Sequence, residues 1–234
     1  MNNNEPDMWG LVTEISQSLQ ISFASIKAAI SSLLGGDIFW DQATQHEFMQ
    51  TIDHSVDELS ELTAVMTTAM RIKNGTLTLQ RDPHSLQEIL SLAKDDAQKL
   101  IPKTPITLAL PAEMCLAVVD FENLQLALRL LLEVLLSTRE RTAAPLAVQL
   151  LPEDSGWQIT FAGGFSSLTR NIVNWFCYQT PEHALYSASL RPEIKLKALT
   201  SYRLLSLHAI RIAIESTNDE AGALALYIPA RADA

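Results

Sequence analysis

The first third of the chain has two long stretches in which apolar residues recur at every third or fourth position. In the first stretch these residues are Leu11, Ile15, Leu19, Phe23, Ile26, Ile30 and Leu33. In the second they are Phe48, Ile52, Val56, Leu59, Leu62, Met66 and Met70. This spacing places the apolar side chains on one face of an α-helix. Gly35-Gly36 is expected to end the first helix, Asp41 to cap the start of the second, and Asn74-Gly75 to end it. The pattern predicts an antiparallel helical hairpin over residues 8–75.

A hairpin whose two helices each have one apolar face leaves part of that surface in water. A second copy of the chain would cover it by completing a four-helix bundle, so we expect a homodimer. The alternative is that the apolar stripe packs on the C-terminal part of the same chain.

After Gly75 the pattern changes to short alternating segments separated by single helices. Strands are predicted at 76–79, 106–110, 115–119, 147–151, 158–161, 210–214 and 223–228. Helices are predicted at 85–100, opened by Pro83, and at 123–139 and 195–207. The strands at 147–151 and 158–161 are close enough to form an antiparallel hairpin. Helices on one face of a mixed sheet make an α+β sandwich, which we place in a second domain over residues 76–234.

Charge and composition narrow the possible functions. The chain of 234 residues has 17 Lys and Arg against 27 Asp and Glu, a net charge of −10. Such a balance is unfavourable for binding nucleic-acid phosphates or an anionic membrane. No apolar run approaches the roughly 20 residues that span a bilayer, and the N-terminus lacks the features of a signal peptide. Cys115 and Cys177 form no CxxC motif. We therefore expect a cytoplasmic protein with no membrane insertion and no nucleic-acid partner.

The order of these elements resembles the dimerisation-and-phosphoacceptor hairpin and ATPase-like domain of bacterial sensor histidine kinases. The most specific segments are the junction at 71–79, which begins Arg71-Ile72-Lys73-Asn74-Gly75, and the terminal pattern Glu215-Ser216-Thr217, Gly222 and Ile228-Pro229. The resemblance implies an α+β protein. Its antiparallel hairpin would be half of a dimeric four-helix bundle, followed by an ATPase-like α/β sandwich with a mixed sheet. It also implies a role in two-component signal transduction or a phosphorelay.

The same resemblance places the family's phosphoacceptor histidine at Gln17. An amide cannot form the phosphoramidate that an imidazole forms. The acidic residue that usually follows the histidine is replaced by Ser18, and the proline that bends the helix is replaced by Ser22. We therefore expect no catalytic residue, since Gln17 occupies the phosphoacceptor position.

The nucleotide-binding motifs of the family are also altered. Two metal- and nucleotide-binding asparagines correspond to Leu130 and Val134, whose hydrocarbon side chains cannot ligate a metal. A nearby basic position is Ser137. The adenine-binding aspartate falls on Ala162 or Gly163, depending on register, and neither residue can accept the hydrogen bond from adenine. We expect no nucleotide, no other cofactor and no metal site.

The segment that corresponds to the nucleotide lid has no glycine between Gly164 and Gly222, and it contains Trp175, Phe176 and Tyr178. We expect this lid to be packed. Its aromatic rings either fill an empty nucleotide cavity, which we favour, or dock a partner.

His54 is the main remaining candidate for chemistry. It is predicted to point outward from the second helix, among Asp53, Asp57 and Glu58. A solvated surface residue is the more common case, because the carboxylates would repel a phosphoryl group. The alternative is a histidine phosphotransferase that uses His54. None of the five histidines has neighbours in sequence that suggest a metal site.

Together these features predict a non-catalytic histidine-kinase-like protein, a pseudokinase that acts as a dimeric scaffold or regulator. Its expected partner is the receiver domain of a response regulator, or a genuine histidine kinase by heterodimerisation. Gln17, Ser18 and Gln20 would form the exposed docking surface. The alternatives are phosphotransfer through His54, a divergent active sensor histidine kinase, and an assembly module of a larger sensor.

Overall fold

A computed structural model of the protein describes residues 8–35, 40–102, 104–139, 144–163, 165–178, 190–215 and 223–230. The chain begins with two long helices, α1 (Met8–Leu34) and α2 (Gln42–Lys73), which pack against each other. The Trp40 indole donates to the carbonyl of Ser32 at 2.8 Å, so the end of α1 lies beside the start of α2. The two helices therefore form the predicted antiparallel hairpin.

The ends of α2 have the predicted caps. The Asp41 side chain accepts a hydrogen bond from the Thr44 amide at 2.7 Å, which satisfies one free N–H of the first turn. Asn74 caps the other end, and Gly75 has a positive φ of 65°, which glycine adopts with little strain.

The rest of the described chain is an α/β domain. Its helices are α3 (Leu86–Leu100), α4 (Phe121–Thr138), α5 (Ser167–Tyr178) and α6 (Pro192–Leu207). Its strands are β1 (Asp82–Ser85), β2 (Ile106–Ala109), β3 (Leu116–Val119), β4 (Leu146–Glu153), β5 (Gly156–Ala162), β6 (Arg211–Glu215) and β7 (Ala223–Pro229). Together with the hairpin, this order confirms the predicted α+β class.

The main sheet has five strands in the order β2-β4-β5-β7-β6. β2 runs parallel to β4 and the other neighbours are antiparallel, so the sheet is mixed, as predicted. The predicted hairpin of β4 and β5 is confirmed, with Val148 paired with Phe161. β1 and β3 form a separate antiparallel pair.

Helix α4 is the centre of the hydrophobic core. It packs against α3 and α6, and almost every residue of its second half is buried. Its leucines share one core with the inward side chains of the sheet, which include Val148, Ile159, Phe161, Leu224 and Leu226. A helix that is apolar on nearly all sides is expected at such a central position.

Two local predictions were wrong, and one helix was missed. Residues 76–79 form no strand, because the amides of Thr76 and Leu77 donate back to the carbonyl of Arg71 at the end of α2. The strand forms later, as β1, where β3 supplies a partner. Pro83 lies within β1, and α3 is capped instead by Ser85, which accepts from the Glu88 amide. Helix α5 was not predicted.

Across the ranges that the structure describes, no helix combines the length and apolarity needed to span a bilayer.

Candidate functional site

The predicted docking surface on α1 is only partly exposed. Gln17 and Gln20 lie in solvent, but Ser18 is half-buried and its hydroxyl donates to Glu193 Oε1 of α6. Adjacent helical positions are separated by about 100°, so Gln17 and Ser18 point in different directions. The prediction that Ser18 belongs to the exposed surface was therefore wrong. Ser18 belongs to the contact between the hairpin and the α/β domain.

A cavity of about 400 Å³ lies at this contact. Side chains from α1, α2, α4 and α6 line it, so both the hairpin and the α/β domain contribute. Its polar lining includes Ser18, His54, Glu58, Arg191, Glu193 and Lys197. The sequence predictions named Ser18, His54 and Val134 separately and did not bring them together in one cavity.

A four-membered ionic cluster joins the hairpin to the α/β domain beside this cavity. Lys197 Nζ of α6 lies 2.5 Å from Glu133 Oε2 of α4 and 3.0 Å from Glu61 Oε1 of α2. Arg129 Nη1 lies 3.2 Å from Glu61 Oε1 and 3.3 Å from Glu133 Oε1. We call Glu61, Arg129, Glu133 and Lys197 the ionic cluster. It connects three helices, α2, α4 and α6.

Glu133 is the most buried member, with 2% of its side chain exposed. Burial raises its pKa above the usual carboxyl value, and the nearby Glu61 carboxylate adds to this effect. Lys197 and Arg129 oppose the shift. A second ion pair, Lys195 Nζ to Glu14 Oε2 at 3.0 Å, connects α6 to α1.

The positions at which the sequence resemblance places the family's nucleotide ligands carry no metal-ligating group. Leu130 and Val134 are fully buried within α4. Ala162 ends β5, where it pairs with Ala147. Gly163 follows with a φ of +124°, and a Cβ there would lie 2.9 Å from the carbonyl oxygen of Pro145. The backbone at Gly163 is therefore closely packed against the chain before β4.

Two aromatic residues of α5, Trp175 and Phe176, are packed inside the domain. Trp175 and Phe176 are buried and contact each other with ring centroids 5.4 Å apart. Both also contact Tyr202 of α6, at 5.1 and 5.9 Å. The prediction of a packed segment is confirmed for these rings. Because they are buried, they offer no docking surface to a partner.

Polar contacts fasten α5 to the end of α4. The hydroxyls of Ser166 and Thr169 donate to the carbonyl of Thr138 at 2.6 and 3.0 Å. This attachment occurs where the free carbonyls of a helix C-terminus need partners. It holds α5 against the core.

His54 is exposed, as predicted, and its Nε2 lies 3.3 Å from Glu58 Oε1 one helical turn away. It borders the cavity at the contact between the hairpin and the α/β domain.

His208, for which the sequence suggested no role, is buried after α6. Its Nδ1 contacts the carbonyl of Leu204 at 2.8 Å, and its Nε2 accepts from the Asp120 amide at 3.3 Å. Burial lowers its pKa. In the described ranges, no group of three or more His, Cys, Asp or Glu side chains could hold a metal ion.

Comparison with known proteins places this geometry in a fold class. No protein-family model matches the chain, and no curated protein sequence matches it. Among solved structures, the histidine kinase AdeS of Acinetobacter baumannii matches with a TM-score of 0.61 and 11% identity, over 91% of this chain and 97% of that one. A bacterial phosphotransferase matches with a TM-score of 0.50 and 15% identity, over 92% and 93%. The catalytic domain of the histidine kinase ThkA matches with a TM-score of 0.50 and 9% identity, over 65% and 97%.

At sequence identities of 9–15%, the structural similarity shows the fold alone. The chain has the fold of a sensor histidine kinase core, a helical pair followed by an ATPase-type α/β domain with a mixed sheet. This is the fold that the resemblance in the sequence implied.

Proposed function

We propose that this chain is a non-catalytic histidine-kinase-like protein that acts as a dimeric scaffold or regulator in two-component signal transduction. The observation that supports the proposal best is the hydrocarbon character of Leu130 and Val134, both fully buried in α4. Phosphoryl transfer from ATP depends on Mg²⁺ and on donors around the γ-phosphate. Aliphatic side chains supply neither a metal ligand nor a hydrogen bond.

The test is titration calorimetry of the full chain with Mg-ATP, together with incubation in radiolabelled ATP. An active histidine kinase core run under the same conditions is the control. We expect no heat of binding and no acid-labile label on this chain, while the control gives both. Saturable binding of Mg-ATP or labelling of the chain would refute the proposal.

Dimerisation is proposed from the hairpin surface. The apolar stripe of α1 is divided: Leu11 and Ile15 are buried by the rest of the chain, whereas Phe23 is 61% and Ile30 41% exposed. On α2, Val56 is also exposed. Packing on the chain's own α/β domain thus covers one end of the hairpin and leaves the other end open. A second copy would bury the open end.

Sedimentation analysis tests this arrangement. Phe23→Asp should convert a dimer into a monomer, because a carboxylate buried in an apolar interface is strongly unfavourable. Met114→Asp is the control, since Met114 is 71% exposed but lies in the α/β domain. A monomeric wild-type chain, or equal effects of the two variants, would argue against the proposed interface.

The proposed partner surface is the exposed part of α1 around Gln17 and Gln20. A receiver domain encoded beside this chain, or a partner kinase, is the candidate to test. Calorimetry should detect a complex, and Gln17→Trp should weaken it by obstructing the surface. Gln45→Trp, at an exposed position near the other end of the hairpin, is the control. The absence of a complex with every co-encoded receiver and kinase would count against this role.

A second candidate function is phosphotransfer through His54. Its support is the exposed imidazole with the Glu58 carboxylate 3.3 Å from Nε2. Incubation with a phosphorylated receiver would give an acid-labile label that disappears in His54→Ala. His46→Ala is the matched control, because His46 is also exposed on α2 and contacts Gln50 at 3.0 Å. No label, or a label that survives His54→Ala, removes this candidate.

A further inference from the structure

The cavity between the hairpin and the α/β domain has the size of a small-molecule site. Its volume of about 400 Å³ falls within the range of ~300–1,000 Å³ that is typical of ligand pockets. Part of its lining is apolar, with Leu59 and Leu62 from α2, Ile101 after α3 and Ile194 from α6. Carboxylates form much of the remaining lining. The cavity therefore combines a surface for an aliphatic group with a surface for a polar one.

Two buried carboxylate oxygens of this lining lack donors. Glu133 Oε1 and Glu193 Oε2 accept no hydrogen bond from any residue in the described ranges. The other oxygen of each group is occupied: Glu133 Oε2 by Lys197 and Glu193 Oε1 by Ser18. Glu133 Oε1 has only the ionic contact with Arg129 at 3.3 Å. Buried oxygens without a donor are costly, and a ligand with N–H groups would satisfy them once each carboxyl group turns its free oxygen toward the cavity.

The charges around the cavity determine the sign of the charge that a bound ligand should carry. Four carboxylates line it, Glu58, Glu61, Glu133 and Glu193. Three cations balance them, Arg191 and Lys197 in the lining and Arg129 behind it. With all four carboxylates ionised, one negative charge remains in excess. A ligand with a single positive charge would neutralise the site, whereas an anion would add to the repulsion.

We propose that this cavity binds a small aliphatic cation, an alkylammonium or alkylguanidinium compound, as an effector. The N–H donors of the head group match the unpaired carboxylate oxygens, and the hydrocarbon chain matches the apolar lining. Because α1, α2, α4 and α6 all contribute to the walls, the bound cation stabilises this placement of the hairpin on the α/β domain. Val134 and Ser137 also line this cavity, so it adjoins positions at which the resemblance places the family's nucleotide-binding residues.

The test is titration calorimetry of the full chain at constant ionic strength with four probes: n-pentylamine, n-butylguanidine, 1-pentanol and ammonium chloride. We expect at least one of the two alkyl cations to bind saturably with one site per chain. Pentanol has the chain without the charge, and ammonium has the charge without the chain. Each should bind at least about tenfold more weakly than the alkyl cation, since each lacks either the charged head group or the hydrocarbon chain. The relative affinities of the amine and the guanidine distinguish the two head groups.

Glu193→Gln should weaken binding of the alkyl cation about tenfold, as expected for loss of a charge-assisted hydrogen bond. Glu153→Gln, at an exposed position in β4, removes the same charge away from the cavity and should leave affinity unchanged. Circular dichroism verifies that each variant folds. If Glu193→Gln does not fold, Glu58→Gln, at an exposed lining position, takes its place with an expected loss of about threefold.

Three results would each overturn the proposal. The first is no saturable binding of either alkyl cation. The second is pentanol or ammonium binding as tightly as the alkyl cations. The third is an affinity that the lining variant leaves unchanged.

Discussion

The ionic cluster makes Lys197→Met the most informative single change in the molecule. Methionine keeps most of the length and apolar volume of lysine but removes the ammonium group that lies 2.5 Å from Glu133 and 3.0 Å from Glu61. At an effective dielectric constant of about 20, the gross attraction of one ion pair at 3 Å is roughly 5–6 kcal/mol. Desolvation offsets much of this attraction in the folded protein. Removing one partner of a buried pair nevertheless costs about 3–5 kcal/mol, because the other charge remains buried.

Two observations place the expected loss at the lower end of that range. Arg129 remains within 3.3 Å of both carboxylates, so neither is left alone. Lys197 is itself 19% exposed, so water can partly replace the ammonium group. We expect Lys197→Met to lower the free energy of unfolding by about 3 kcal/mol. Adding Glu133→Leu should recover most of that loss, since an apolar pair of similar volume is often as stable as a buried ion pair.

Urea unfolding followed by tryptophan fluorescence measures these differences. Lys99→Met is the matched control: Lys99 pairs with Asp96 at 2.9 Å but is 75% exposed, so its loss should cost less than about 1 kcal/mol. The reasoning fails if Lys197→Met costs no more than Lys99→Met. It also fails if Glu133→Leu makes the Lys197→Met protein less stable still.

Three further changes test other parts of the structure. Burial lowers the pKa of the His208 imidazole in the folded protein below its value of about 6.5 in the unfolded chain. The neutral ring therefore contributes stability above about pH 6.5. This contribution is lost as the pH falls through the folded-state pKa. His208→Gln should flatten the decline in melting temperature on acidification from pH 7, and an unchanged slope would contradict the assignment. Gly163→Ala should destabilise the protein by more than the roughly 1–2 kcal/mol expected for Gly75→Ala. Both glycines have positive φ, but only at Gly163 would the added Cβ lie 2.9 Å from a backbone oxygen, that of Pro145. Equal losses in urea unfolding would show that this close approach is relaxed. Trp175→Ala should cost about 3–5 kcal/mol through loss of its buried ring contacts, and should not create Mg-ATP binding in calorimetry.

Local sequence signals were sufficient for much of the fold. The apolar periodicity of α1 and α2 and the caps at Asp41 and Asn74-Gly75 depend on neighbours within a few residues, so they could be identified from the sequence. The alternation of Leu77 and Leu79 with threonines was misleading in the same region. A strand also needs a partner, and the sequence does not show which edges are available. The amides there bond to the end of α2 instead.

Helix α5 was missed for a different reason. Its apolar residues Leu168, Ile172, Val173, Trp175 and Phe176 have helical spacing and a buried face. The family resemblance assigned this segment to a nucleotide lid and predicted no helix there. The spacing itself was the signal that could have identified the helix.

The cavity could not be predicted from the sequence. Ser18 and Glu193 are 175 positions apart, and no local pattern relates them. Arg129 and Glu133 gave a partial signal, because they interrupt an otherwise apolar helix. Charges at such positions need partners from other elements, here Glu61 and Lys197. The tertiary structure is needed to identify those partners.

The segment that follows α2 is fastened at both ends. Thr76 bonds back to Arg71, and the Gln80 amide donates at 2.7 Å to Asp120, the residue that caps α4. Hydrogen bonds at both ends leave this segment little freedom to move relative to α2 and α4. A rotation of α2 would therefore displace the start of α4, the core helix of the α/β domain.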